Sequence, residues 1–102
     1  MNVLRLNYFH ALPGQFEALA AVFEGLTANI RALDGCVRCE LLLNNSAGSP
    51  DDDGTVIVLE EWVSIAAHKA AAANIDPADF ARVMPLLNGR PHGQYYKAVD
   101  SD

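Results

Sequence analysis

Positive charge is scarce in this chain. Seven Lys and Arg stand against thirteen Asp and Glu, a formal net charge of −6. A nucleic-acid or anionic-membrane surface needs clustered basic side chains, so neither partner is expected. Long hydrophobic runs are missing too: nothing approaches the roughly 20 apolar residues of a membrane span. No basic segment, apolar run and small-residue cleavage site open the chain, so a cytoplasmic protein without a signal peptide is expected. Cysteine occurs only twice, at Cys36 and Cys39. That C-x-x-C spacing falls at the start of an expected strand, where residues three apart point to opposite faces. No second pair completes a four-ligand zinc site, and a redox pair normally opens a helix. Two buried, inert thiols and no metal are the expectation. Dinucleotide and phosphate-loop motifs are absent, so no cofactor is expected either.

What the chain does have is apolar residues, 51% of 102. That is enough for one folded domain, placed at residues 2–100. The stretch Gly54 to Ser64 is its most informative piece. From Thr55 to Trp62 the apolar residues barely break, which reads as a strand buried on both faces. Ile57 and Leu59 point one way; Val56, Val58, Glu60 and Trp62 point the other. The second face sets a carboxylate beside the only Trp of the chain. A buried Glu needs a partner. That face is therefore either a packed core with an ion pair or the wall of a polar-tipped pocket.

Val3 to His10 alternates as a first strand, with Leu4, Leu6 and Tyr8 opposite Val3, Arg5, Asn7 and Phe9. A helix is predicted from about Gln15 to Ala32, its apolar stripe made by Phe16, Leu19, Ala20, Phe23, Thr27 and Ile30. Asp34-Gly35 stops it. The second strand, Cys36 to Leu43, opposes Val37, Cys39, Leu41 and Leu43 to Cys36, Arg38, Glu40 and Leu42. The loop from Asn44 to Gly54 carries three aspartates but lacks the alternating ligands of a calcium loop, so it reads as solvated. Ser64 caps a helix to about Ala73, and Asp76-Pro77 starts a short one carrying Phe80, Val83, Met84 and Leu87. Gly93 to Val99 is the last predicted strand.

The order β-α-β-β-α-β predicts an α+β, ferredoxin-like fold, a four-stranded antiparallel sheet with helices on one face. The cleaner apolar faces (Leu4, Leu6, Val37, Cys39, Leu41, Ile57, Leu59) are expected beneath the helices. The mixed faces would then lie bare, cover one another in a symmetric homodimer and enclose a cavity. Arg5 or Arg38 would pair there with Glu40 or Glu60.

Three segments carry a family resemblance: Asn7 to Gly14, Asp34 to Leu41, and Leu59-Glu-Glu-Trp62-Val-Ser64. Together they look like the antibiotic biosynthesis monooxygenases, over residues 3–99. The resemblance implies a dimeric α+β barrel. In many members it implies a cofactor-free oxygenase acting with dioxygen on quinols and polycyclic anthrones. Trp62 matches a pocket tryptophan of anthrone-oxidising members. Their Asn four residues earlier and Tyr six residues later are Val58 and His68 here. A haem-degrading branch uses an Asn, a Trp and a His; Asn7 matches the first, but Ala71 and Met84 stand at the others, so haem chemistry is not implied.

On this reading Trp62 packs against an aromatic substrate, Asn7 hydrogen-bonds one of its oxygens and His68 is the base. Arg5, Phe9, Arg38, Val58 and Glu60 complete the substrate pocket. Each has a plainer role open to it: core packing for Trp62, a structural ion-pair network for the charged residues, solvent for His68. The rival class is a non-catalytic dimeric barrel binding a small hydrophobic ligand.

Overall fold

The computed structural model describes residues 2–44 and 54–99. Residues 45–53 of the Asn44–Gly54 loop, read above as solvated, lie outside the described residues. Four strands form one antiparallel sheet: β1 (Val3–His10), β2 (Cys36–Asn44), β3 (Thr55–Trp62) and β4 (His92–Tyr96), in the order β2-β3-β1-β4. Helices α1 (Phe16–Arg31), α2 (Ile65–Ala72) and α3 (Pro77–Val83) complete an α+β, ferredoxin-like fold. Among the described residues no helix is long and apolar enough to cross a membrane.

Local chemistry explains the element boundaries. The Ser64 hydroxyl accepts from the Ala67 amide at 3.0 Å, starting α2 where capping propensity predicts. Asp76 does the same for α3, accepting from the Ala78 amide with Pro77 in the first turn. α3 tightens after Val83 into a 3₁₀ turn, Met84–Leu86, so Val83 and Leu87 are buried while Phe80 and Met84 are half exposed. The last strand begins at His92 and ends at Tyr96, not Val99, which is 92% exposed.

The face assignment of the two central strands is reversed from the sequence reading. The helices cover the mixed faces, and Leu4, Leu6, Ile57 and Leu59 lie on the other side. Along β3 every second residue is buried: Val56, Val58, Glu60 and Trp62. Register supplies the reason. Val3 opposes Trp62, Arg5 opposes Glu60, Asn7 opposes Val58 and Phe9 opposes Val56, so the polar groups of both strands meet one another instead of burying alone. The same faces carry the larger rings. Phe9 meets Phe23 of α1 with ring centroids 4.4 Å apart, and Trp62 packs with Val3 and Ala71.

β2 departs from strict alternation at a bulge between Cys36 and Arg38. The extra residue, Val37, turns out to solvent, and Leu43 is exposed near the strand's end, so only Cys39 and Leu41 of the expected face reach the core. The bulge also puts Cys36 opposite Trp62 and Cys39 opposite Glu60, on one face rather than two. Both thiols are free, Cys39 buried and Cys36 half-buried. Burial pushes the Cys39 thiol up to about 12, and the nearby Glu60 adds to this. A thiol held that far from its thiolate is a poor nucleophile.

Candidate functional site

Between the sheet and its helices lies a cavity of about 450 Å³. Small-molecule sites commonly occupy roughly 300–1,000 Å³. β1 contributes Arg5, Asn7 and Phe9, and β3 contributes Val58, Glu60 and Trp62. His68 comes from α2, Phe23, Leu26 and Ile30 from α1, and Phe80 and Val83 from α3. Most of the wall is apolar. Asn29, Asn74, Asp76 and Asp79 line it from the helices and their flanks, while Arg5, Asn7, Glu60 and His68 gather at its sheet side.

Those polar groups form a closed circuit. Arg5 Nε donates to Asn7 Oδ1 at 3.1 Å, and Asn7 Nδ2 donates to Glu60 Oε2 at 2.8 Å. The Trp62 indole N–H donates to Glu60 Oε1 at 2.8 Å. His68 Nε2 lies 3.9 Å from that same oxygen, and His68 Nδ1 lies 2.6 Å from the Tyr95 hydroxyl. The Arg5 guanidinium closes the loop over the Tyr95 ring, 4.6 Å from its centroid. Among the described residues no buried side-chain polar atom lacks a partner.

Glu60 is only 5% exposed. Burial raises its proton affinity above the ordinary carboxylate range, while the Trp62 donor, the Arg5 charge and the Asn7 donor pull it back. His68 moves the other way: burial, then Arg5 and Lys69, hold it below the usual imidazole value, so the ring is neutral at pH 7. The signs give a stability prediction. Native His68 binds fewer protons than the unfolded chain just below pH 6.5. Its contribution is therefore complete above that pH and lost as pH falls through the lower native value. Native Glu60 binds more protons than the unfolded chain above pH 4.5, so its contribution falls as pH rises from there. Removing His68 by His68→Gln leaves the second trend alone. Between about pH 5 and 7 the variant's unfolding midpoint is expected to fall with pH relative to the wild type, as a series of thermal melts will show.

A glycine makes room for the circuit. Gly93 opposes Asn7 across β4, and a Cβ there would overlap Asn7 Oδ1 and come within 2.6 Å of Arg5 Nη2. Its φ is not positive, so space rather than backbone freedom is what matters. Gly93→Ala is expected to displace Arg5 and Asn7 at about 1–3 kcal/mol. A crystal structure of the variant would show the Arg5–Asn7 bond broken; an intact bond would contradict this use of the glycine.

Of the residues singled out from sequence, Asn7, Trp62, His68, Arg5, Phe9, Val58 and Glu60 line this one cavity. It lies within a single chain, under the helices, not between two sheets. Arg38 does not belong to it. Its guanidinium binds Glu61 at 2.9 Å and Glu40 at 3.2 Å on the uncovered face. The expected cluster of Arg38 and Glu40 with the cavity residues is thus split by the sheet. The walls from α1 and α3 escaped the sequence reading, because an apolar helix stripe looks the same whether it meets a core or a cavity. Tyr95 carried a signal: of the adjacent Tyr95 and Tyr96 only one can face inward, and Tyr95 does.

Fold and site together define a ferredoxin-like α+β protein with a polar-tipped cavity beneath its helices. The sequence profile of the family described as antibiotic biosynthesis monooxygenase matches residues 2–82, and the chain belongs to that family. Among solved structures, a Shewanella oneidensis protein shares 30% identity with a TM-score of 0.73, over 93% of this chain and 88% of that one. A Mycobacterium tuberculosis protein aligns at 24% identity and TM-score 0.77, covering 99% of this chain and 98% of its own. An asparagine-to-alanine mutant of SnoaB, a cofactor-independent oxygenase from Streptomyces nogalater, shares the fold at 20% identity and TM-score 0.71, over 98% and 95% of the two chains. No curated protein matches the chain.

Proposed function

We propose that this protein is a cofactor-independent monooxygenase that oxidises a small aromatic quinol, phenol or anthrone-like compound with dioxygen. One observation carries the reading: a largely apolar cavity holds a buried carboxylate hydrogen-bonded to an amide and an indole, with a neutral imidazole 3.9 Å away. A structural ion pair has no need of an open volume beside it. Family membership and the oxygenase activity of the fold relative SnoaB support the same class of chemistry.

An electron-rich aromatic hydroxyl, once deprotonated, can pass an electron to dioxygen directly. In the anthrone case a ring CH₂ and O₂ become C=O and H₂O, so one oxygen atom enters the product and the other leaves as water. The protein supplies a dry pocket, a proton acceptor and a fixed positive charge near the new anion. Trp62 and Phe9 flank the substrate, Val58 shapes the floor and Arg5 faces the phenolate. The polar circuit takes the proton. Asn7 spends both ends of its amide on Arg5 and Glu60, so it acts by orienting them.

A homodimer belongs to this reading. β1 and β3 leave Leu4, Leu6, Tyr8, Ile57 and Leu59 on the uncovered side of the sheet, an apolar surface that a second copy would bury. Analytical ultracentrifugation at micromolar concentration is expected to give a dimer; a monomer would contradict it. A cytoplasmic location remains part of the proposal.

Oxygen uptake with reduced naphthoquinols and anthrones, corrected for autoxidation, tests the activity. Uptake well above background that collapses in Trp62→Phe and His68→Ala is expected. The rival, a binding module, is favoured by one observation: among the described residues every fully buried side-chain polar atom already has a partner within the protein. Its signature is quenching of Trp62 fluorescence by the same compounds without oxygen consumption.

A further inference from the structure

We propose that Glu60 is the catalytic base and that Tyr95 is a positioning residue, fixing the His68 ring so that its Nε2–H points at the Glu60 carboxylate. The inference rests on the oxygenase reading and assigns the proton within it.

The sequence suggests His68 as the base, but the geometry commits one of its nitrogens to Tyr95 and turns the other toward Glu60. Nδ1 sits 2.6 Å from the Tyr95 hydroxyl. A phenol donates to a neutral imidazole, so Nδ1 is the acceptor and the ring proton sits on Nε2. That nitrogen faces Glu60 Oε1 at 3.9 Å. It has a proton to offer, none to receive. Burial and the positive charges of Arg5 and Lys69 oppose a second proton on the ring.

Glu60 has the opposite character. Asn7 holds Oε2 and Trp62 holds Oε1, each through a single hydrogen bond. An ionised carboxylate oxygen accepts more than one, so each retains a lone pair. The carboxylate lines the cavity, and its burial makes it more basic than an exposed one. Two other carboxylates line the cavity, but Asp76 caps α3 through the Ala78 amide and Asp79 pairs with Arg82, and neither joins the circuit at the sheet. The groups beside Glu60 itself offer no better acceptor. Arg5 on β1, Lys69 on α2 and Arg31 on α1, which reaches the Cys39 carbonyl, are cations. Cys36 and Cys39 on β2 are protonated thiols, and Tyr95 on β4 is a neutral phenol.

In the step itself the substrate O–H bond breaks and an O–H bond forms on Glu60. Negative charge moves from the carboxylate to the substrate oxygen. Arg5 is counter-charge before and after, so the cavity's net charge does not change. The substrate anion gives two electrons to dioxygen as a C–O bond forms, and Glu60 returns its proton to the resulting peroxide. The O–O bond then breaks as the same ring carbon gives up its remaining hydrogen, leaving C=O and releasing the outer oxygen as water with both hydrogens.

Two readouts test this on the intact protein, with circular dichroism confirming the fold of each variant. In oxygen uptake, Glu60→Gln is expected to lower kcat about 100-fold or more with KM little changed. Glu60→Asp should recover part of that loss. Tyr95→Phe should lower kcat about tenfold at similar KM while keeping the ionisation in the pH profile. A Glu60→Gln enzyme with wild-type kcat, or a pH profile whose ionisation disappears in His68→Ala but survives in Glu60→Gln, would overturn the assignment. The second readout needs no turnover. Trp62 is the only tryptophan and donates directly to Glu60, so its emission should titrate with pH in the substrate-free wild type and lose that transition in Glu60→Gln. A transition unchanged in Glu60→Gln would refute Glu60 as the titrating group even if no quinol or anthrone is oxidised. Loss of the transition without oxygen uptake would keep the titrating carboxylate and sink the oxygenase reading instead.

Discussion

Trp62→Ala is expected to lower the unfolding free energy by about 3–5 kcal/mol, the range for emptying a fully buried large ring. The indole is 2% exposed and forms a buried cluster with Val3 and Ala71, against which Ile30, Leu33, Cys36, Ala67 and Tyr95 pack. Its removal also strips Glu60 Oε1 of a hydrogen bond, leaving only His68 Nε2 at 3.9 Å. A buried carboxylate with an unmet acceptor adds to the packing loss. For a domain of this size each 1 kcal/mol moves the thermal midpoint by about 4–8 °C, so the drop should exceed about 12 °C. Trp62→Phe separates the two effects, since it restores ring volume but no N–H. A calorimetric series in which the alanine variant loses less than about 1 kcal/mol would mean the indole is not part of the core.

The second large effect is expected at Gly54, where β3 begins. Its φ is +52°, and a Cβ there would overlap the Phe16 ring, with Cε1 and Cγ both at 2.9 Å. The Gly54 carbonyl also accepts from the Ala11 amide at 3.1 Å, so the turn cannot shift freely. An alanine in left-handed backbone costs about 1–2 kcal/mol, and forcing Phe16 aside adds about 1–3 kcal/mol. Gly54→Ala should therefore lose about 2–5 kcal/mol in urea denaturation. Gly14 is the control. It has a similar positive φ, +80°, but nothing lies within 4 Å of a Cβ there, so Gly14→Ala should show the backbone effect alone. Equal losses at the two sites would contradict the Phe16 contact.

The element order was readable from the sequence because each boundary has a local cause: Ser64 and Asp76 at helix starts, Gly35 and Gly89 at turns, alternation within the strands. Which side of the sheet the helices cover was not. Judged one residue at a time, Leu4, Leu6, Ile57 and Leu59 look more apolar than Arg5, Asn7 and Glu60. The polar set is buried because register sets Arg5 opposite Glu60 and Asn7 one pair away, and their hydrogen bonds remove the penalty of burial. Pairing across strands is invisible in a single strand's pattern. The bulge at Val37 is a second case, since one extra residue carried Cys36 to the same face as Cys39 and broke the alternation on which the cysteine reading depended. The sheet side of the candidate site was legible nonetheless. Seven of its residues were singled out from faces, spacing and resemblance, and the cavity gathers them once β1 and β3 are turned over. Arg38 stayed outside the cavity because the faces of β1 and β3 were turned over, and the Tyr95 partner of His68 could not be foreseen, because a contact 27 residues away in sequence leaves no local trace.

The central claim is that the cavity beside Trp62 inserts oxygen into an aromatic substrate. Its most direct test is turnover under ¹⁸O₂ with mass analysis of the product from any quinol or anthrone that supports oxygen uptake. One labelled oxygen atom in each product molecule, lost in Glu60→Gln, is the expected result. An unlabelled quinone accompanied by hydrogen peroxide would contradict oxygenation and leave the cavity as a binding site at which the substrate merely autoxidises.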